Sequence, residues 1–308
     1  MFAIEETTGQ LLRLIMNQRR ISEDAEKTCL GAGCALCSQH PRVKIQQAIR
    51  DERMLTLILP GFPAKSANRQ KTLSAKPDRG EIMGLTQLNQ LCQNMQKIHQ
   101  PGVKLIICSD GRVFNDLVLV HDTDVDLYQQ GIQDIIHTHQ LHHLTTFNLD
   151  EVYLGHHYQS MRELLMLEFG QTLACLKKQI LEEPHWRYQF NGIHRFIIED
   201  QFVLNPQHSK NKVRQQAKET AYEVMRRSNA WSALLAQYFS QSIRLSIHPQ
   251  PCGSEKVGIQ FIPSGNRWST PWHNVLLKDT QGWQLIKRHE AERLGATLDE
   301  DHYVLEAS

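Results

Sequence analysis

Met54-Leu-Thr-Leu-Ile-Leu59, closed by Pro60-Gly61, presents apolar side chains on both of its faces. A six-residue run of that kind reads as a strand buried on both sides, as in a parallel sheet covered by helices. A second such run, Val103 to Cys108, is closed by Ser109-Asp110-Gly111. Between them, from Glu81 to His99, the residues Ile82, Leu85, Leu88, Leu91, Cys92, Met95 and Ile98 fall at helical spacing. Strand, helix and strand at these lengths make a right-handed βαβ crossover. The fold class that follows is α/β, Rossmann-like and three-layered, with a largely parallel sheet. In such sheets ligands bind beyond the carboxyl ends of the strands, where both polar loops fall.

Working outward, residues 1 to about 21 read as an amphipathic helix with Ile4, Leu11, Leu12, Leu14, Ile15 and Met16 on one side. Residues 22–42 are turn-rich and carry three cysteines, and VKIQQAIRDE (43–52) is a short helix. Amphipathic helical patterns cover residues 145–178 and 212–240, insertions in the α/β frame, while Arg195 to Leu204 reads as a strand or a covering segment. Ile243 to His248 alternates as a strand, and Val257 to Ile262 is its expected antiparallel neighbour, giving an antiparallel C-terminal strand pair. With no repeat or clear linker, one α/β catalytic domain over residues 1–308 is expected: an N-terminal helix and cysteine segment (1–42), a catalytic core (43–280) and a tail (281–308).

Composition excludes several classes of function. The 34 basic residues nearly balance 33 acidic ones, so the basic footprint of a nucleic-acid binder or a polybasic membrane patch is absent. No apolar run approaches the ~20 residues of a membrane span, and acidic residues stand where a signal peptide is basic, so the expectation is a cytoplasmic protein. Seven scattered cysteines suit reduced thiols. No G-x-G-x-x-G follows a strand, and neither a Walker loop nor a G-x-S-x-G elbow occurs, which removes the usual support for nicotinamide, ATP and esterase chemistry.

Three segments concentrate polar side chains where a ligand would sit. The loop after the first strand holds Lys65, Ser66, Asn68, Arg69, Lys71, Lys76, Asp78, Arg79 and Glu81. It is too long for a mere connector, although a solvated surface loop is the plain alternative. The second is Cys108-Ser109-Asp110-Gly111-Arg112: Asp110 ends a buried strand, where desolvation tunes a carboxyl, and Arg112 offers a planar fork for phosphate or carboxylate. Ser109 and Asp110 as simple caps of a following helix fit the pattern equally well. In the third, Arg244, Ser246 and His248 share one strand face, followed by Ser254, Lys256, Trp272 and His273. A single histidine there is more often a hydrogen-bonded core residue than a catalyst. For a metal, His137 to His143 matches no zinc pattern. Cys29, Cys34, Cys37 and His40 are the better candidates, but no fourth distant cysteine is identifiable and free buried thiols are favoured.

LPGFPAKSANRQK with PDRGE, then ICSDGRVFND, then RRSNAWSALL running into IRLSIHPQP and STPWH, resemble in order and spacing the pyoverdine/dityrosine biosynthesis family, which includes isonitrile synthases. The resemblance spans roughly residues 40–275. It implies that the amine of tyrosine or tryptophan condenses with the ketone of ribulose 5-phosphate. Loss of water, proton transfers and carbon–carbon cleavages then leave one sugar carbon on nitrogen, with no cofactor. It further implies Lys65, Asp110, Arg112, His248 and His273 as catalytic residues, with Lys65 an acid or base near the amine and ketone or else a phosphate contact, and Asp110 a general base oriented with Arg112. Ser66, Asn68, Lys71, Ser109, Arg244, Ser246 and Lys256 are the expected substrate and phosphate contacts. An iron- and 2-oxoglutarate-dependent oxygenase is the expected pathway partner, and a homodimer is an open option. Gly61 and Ala67 stand where the family has Ala and Pro. A formyl-tyrosine-forming relative and a non-catalytic ligand-binding protein are the competing readings.

Overall fold

A computed structural model describes residues 2–22, 29–264 and 268–306. In chain order the elements are α1 (Phe2–Met16), α2 (Ala35–Arg50), β1 (Leu55–Pro60), α3 (Arg79–Gln96), β2 (Val103–Cys108), α4 (Gly111–Phe114), α5 (Asp122–Thr138) and β3 (Leu144–Phe147). A helical stretch follows: α6 (Leu149–Val152), α7 (Tyr158–Phe169), α8 (Leu173–Glu182), α9 (Pro184–Leu204) and α10 (Lys210–Tyr238). The chain ends with β4 (Ile243–Ser246), β5 (Val257–Gly258), β6 (Val275–Asp279), β7 (Gly282–Ile286), α11 (Arg288–Arg293), β8 (Thr297–Asp299) and β9 (His302–Val304).

The main sheet has the order β3-β2-β1-β4-β5, parallel throughout, with Leu57 opposite Leu105 on one side and Ile243 on the other. Both faces of β1 are apolar because both are covered. Leu55, Leu57 and Leu59 pack with residues of α1, α2, α3 and α5, such as Ile15, Ile45, Leu88 and Val125. Ile58 packs on the other side with Leu165 of α7 and Trp231 and Leu234 of α10. Burying an aliphatic side chain of this size contributes about 1.5–3 kcal/mol, so a strand satisfied on both faces anchors the fold. A separate small bundle forms where Leu176 of α8, Phe190 and Ile197 of α9, and Ala217 and Val224 of α10 meet.

The α/β class and the parallel β1–β2–β3 core agree with the sequence reading, and four details differ. First, β4 and β5 run parallel, Leu245 opposite Val257, so the antiparallel pair expected there is absent. Pro249 and Pro251 in the connector cannot donate to a ladder, and the chain loops back instead of turning as a hairpin. Antiparallel C-terminal pairs do occur, as β6–β7 and β8–β9 of a second, four-stranded sheet of order β7-β6-β9-β8. Second, the segment from 281 onward, read as a tail, supplies β7, α11, β8 and β9 of that sheet. Third, Arg195–Leu204 is the second half of α9: Phe190, Ile197 and Gln201 are buried at helical spacing, and Pro184 starts the helix. Fourth, the helix expected at 43–52 begins at Ala35 and continues through Pro41, which is buried. Residues 23–28 of the turn-rich segment lie outside the described residues.

The strand order places the switch point between β1 and β4. Chain connections leave these neighbouring strands in opposite directions there, which opens a crevice at their carboxyl ends. Among the described residues, no helix is long and apolar enough to cross a membrane.

Candidate active site

The loop after β1 begins with strain. Phe62 has φ 54°, a left-handed conformation unfavourable for an aromatic residue, and it is fixed by its surroundings. Its carbonyl accepts a hydrogen bond of 3.0 Å from the Ser109 hydroxyl, and its ring lies 5.0 Å from that of Trp272. Gly61 sits directly against the Trp272 ring and Ile247: a Cβ there would stand 3.2 and 3.3 Å from them, so an alanine would need both to give way slightly.

Beyond Phe62 the loop is pinned from below and from the side. Lys65 turns inward, 2.7 Å from Asp78, 2.8 Å from Glu81 and 3.0 Å from the Pro271 carbonyl. Asp78 and Glu81 form the capping box of α3, and Tyr128 donates to the other Glu81 oxygen. Burial opposes the charge of Lys65, but the two carboxylates outweigh it and raise its pKa. Lys65 does not line either of the cavities described below; its ammonium is taken up by Asp78, Glu81 and the Pro271 carbonyl. Ser66 and Asn68 each donate to Asp200 of α9 at 3.0 Å, and Lys71 pairs with the same carboxylate at 2.7 Å.

At the end of β2, Ser109 serves the Phe62 turn and Arg112 turns away. The Arg112 guanidinium is buried at 1% exposure against Asp122, Asp126 and the Tyr158 ring. It therefore does not orient Asp110, contrary to the expected pairing; its carboxylate partners lie on and around α5. Gly111 is required because a Cβ would collide with the Pro63 carbonyl, so the two loops touch through backbone. Asp110 remains. It faces the inner cavity, and one buried oxygen, Oδ1, makes no hydrogen bond among the described residues. Burial pushes its pKa up to about 7, only partly offset by a backbone N–H.

Ile247 and His248 follow β4, while Trp272 and His273 belong to a one-turn 3-10 helix, Pro271–His273, joined to the first loop by Ser66 N–H to the Trp272 carbonyl at 2.9 Å. Burial, then the charges of Arg20 and Lys256, lower the His248 pKa to about 4. His273 is lowered well below its ordinary value by burial and by Lys71, and it rests 4.1 Å from the Phe196 ring. Both imidazoles are thus neutral near pH 7. Ser246 accepts from the His248 backbone N–H at 3.1 Å and supports that turn. Arg244 and Lys256 converge on Ser232 of α10, at 2.6 and 2.7 Å, one turn beyond the cavity residue Ser228. They do not line the cavities.

Two adjoining cavities occupy the switch point. The outer one, about 720 Å³, is lined by α9 residues Tyr188, Asn191, Arg195, Phe196 and Glu199 and by Lys71, Trp268 and Lys287. The inner one, about 110 Å³, reaches Ser66, Asp110, Asn115, Asp200 and Ser228. Ile193, Phe196, Ile247, His248, Trp272 and His273 border both. Arg195, Asp200 and Lys287 are among the contributors missed in the sequence. The register of α9 could have revealed Arg195, because Tyr188, Asn191, Arg195 and Glu199 recur on one face.

Away from these cavities, the Cys29, Cys34 and Cys37 sulfurs gather with that of Cys252, all within 4.8 Å of one another. His40 is exposed and takes no part.

A doubly wound sheet with a two-chambered crevice at its switch point, lined by a buried carboxyl and two buried imidazoles, has the layout of an α/β enzyme active site. Comparison specifies it: residues 45–298 match the family model described as pyoverdine/dityrosine biosynthesis protein, and the chain belongs to that family. It is 43% identical to the L-tryptophan isonitrile synthase AmbI2 of Fischerella ambigua, over 94% of this chain and 87% of the relative. It is 36% identical to the L-tyrosine isonitrile synthase of Pseudomonas aeruginosa, over 97% and 93%. The crystal structure of the PvcA protein from Pseudomonas aeruginosa superposes with a TM-score of 0.91 at 35% identity, covering 97% of this chain and 99% of that one.

Proposed function

We propose that this enzyme is an isonitrile synthase that condenses the amine of L-tryptophan with the ketone of ribulose 5-phosphate and leaves one sugar carbon on nitrogen as the isonitrile. The observation that carries the proposal is Asp110: a carboxyl poised near pH 7, facing an inner chamber at the switch point of a family whose relatives bear this activity in their names. Imine formation and the proton transfers after it need a group that both accepts and returns a proton near neutrality. His248 and His273, uncharged at the chamber wall, are suited to relay that proton. In this scheme the sugar supplies the leaving groups.

Arg195 and Lys287 at the outer cavity suit a phosphate, since charge-assisted hydrogen bonds hold it in a fixed orientation. Phosphate outside and Asp110 inside set the direction in which the sugar enters. Phe196, Trp272, Phe114 and Val118 offer apolar walls to an aromatic side chain. Tryptophan is preferred to tyrosine because the tryptophan enzyme compared above is nearer in sequence than the tyrosine enzyme. The same reading places the enzyme in the cytoplasm and passes its product to an iron- and 2-oxoglutarate-dependent oxygenase.

The test is incubation of purified protein with ribulose 5-phosphate and either tryptophan or tyrosine, followed by a tetrazine trap and mass spectrometry. A trapped tryptophan adduct is expected. A tyrosine adduct alone would reverse the substrate choice, and a formylated product or no product from folded protein would overturn the activity.

A further inference from the structure

We infer that Cys29, Cys34, Cys37 and Cys252 form a tetrathiolate site for one zinc ion. The inference stands apart from the proposed reaction, because it rests on the geometry of the cluster itself.

The distances match a metal better than any covalent alternative. The Sγ atoms of Cys29 and Cys37 lie 3.8 Å apart, those of Cys34 and Cys252 3.6 Å, and those of Cys37 and Cys252 3.4 Å. A tetrahedron with zinc–sulfur bonds of about 2.3 Å has edges of about 3.8 Å. A disulfide requires about 2.05 Å, and two separate disulfides would not draw all four sulfurs into mutual contact. In a four-iron cluster each cysteine binds its own iron, which spreads the sulfurs well beyond this spacing. A soft, all-thiolate tetrahedral set without an open position is a structural zinc site.

The surroundings supply what such a site needs. Four thiolates around a divalent cation leave two negative charges to offset. Arg19 donates to the Cys29 sulfur at 3.0 Å, and the Gly253 N–H donates to that of Cys37 at 3.3 Å. Gly253 adopts φ 78°, the left-handed backbone that lets the residue after Cys252 turn its N–H back onto the cluster. Cys34 is the N-cap of α2, where the positive end of the helix favours a thiolate. The spacing C-x4-C-x2-C supplies three ligands locally, and the fourth comes from the connector between β4 and β5.

That connector also carries His248, four residues before Cys252. Backbone hydrogen bonds from Ser22 N–H to the Gln250 carbonyl of the connector and from Arg20 N–H to the Gly258 carbonyl of β5 bind this part of the chain to the N-terminal segment. Zinc would tie the middle of this connector, at Cys252, to the segment that carries Cys29, Cys34 and Cys37, and so brace the turn that carries His248.

Full-length protein purified without added metal or chelator, under reducing conditions, is expected to contain one zinc per chain by elemental mass spectrometry. Zinc release by a mercurial reagent should run in step with capture of the four cluster thiolates as mercury mercaptides. Protein produced in cobalt medium should show the visible bands of a tetrahedral cobalt tetrathiolate. Cys252→Ser should lose most of the metal and melt at lower temperature, whereas Cys175→Ser, altered at an exposed cysteine outside the cluster, should keep both. If Cys252→Ser does not fold, the metal content and cobalt spectrum of the unaltered chain decide alone. Absence of metal together with no cobalt tetrathiolate spectrum would overturn the site, stoichiometric iron would overturn its assignment to zinc, and a disulfide among these cysteines in rapidly alkylated cell lysate would replace it.

Discussion

The Lys65 ammonium stands 2.7 Å from the Asp78 carboxylate in a pocket closed to solvent, beneath the loop that frames the cavity. Removing one member of such a pair leaves an uncompensated buried charge, which costs about 3–5 kcal/mol. Lys65→Met is therefore expected to destabilise the protein by about that amount in urea denaturation, and Asp78→Asn added to it should recover part of the loss. Additive losses would show that the pair is not coupled.

Asp110 should set the pH dependence of the reaction. With its pKa near 7, kcat/KM is expected to rise through that pH, and Asp110→Asn should lower kcat by about 10²–10⁴-fold and abolish that limb. Stability should move the opposite way. The folded-state pKa exceeds the unfolded value of about 3.9, so the contribution of this carboxyl is fully present below that value and is lost as pH rises through about 7. Asp110→Asn should consequently melt higher than the parent at pH 8, with the difference shrinking toward pH 4. Equal melting temperatures at both pH values would refute a desolvated carboxyl.

Arg195 faces the outer cavity, exposed, with no ion-pair partner among the described residues. Arg195→Ala should raise KM for the phosphosugar by about 10-fold, the equivalent of about 1.4 kcal/mol, while changing KM for the amino acid little. Steady-state kinetics with each substrate varied in turn would check this, and an unchanged sugar KM would move the phosphate elsewhere.

Asp200 gathers Ser66, Asn68 and Lys71 onto α9. Asp200→Ala strands two polar side chains and leaves Lys71 with Glu199, 3.2 Å away. A loss of about 2–4 kcal/mol is expected, with kcat reduced as the loop loosens. Asp200→Asn should restore more stability than Asp200→Ala by keeping part of the hydrogen bonding.

What the sequence disclosed was what local pattern carries. β1, β2 and α3 announced themselves through runs apolar on both faces and a long helical period. The direction of β5 was not legible, because it depends on two prolines in a connector and on the N-terminal segment lying beside it. Lys65 and Arg112 looked like ligand contacts because each is a charge in a loop at a strand end. Their carboxylate partners, Asp78 and Glu81 for one and Asp122 and Asp126 for the other, lie ten or more residues onward, and only the fold brings them together. Cys252, 215 residues beyond Cys37, was hidden for the same reason.

The order β3-β2-β1-β4-β5 has a consequence for the nascent chain. β1 is the middle strand, yet its second neighbour, β4, begins at Ile243, long after β1 ends at Pro60. At about 5–20 residues per second, a ribosome needs roughly 10–40 s to supply it. Throughout that interval the emerging polypeptide carries a bare apolar strand edge, the kind of surface that chaperones bind and that aggregates when they do not.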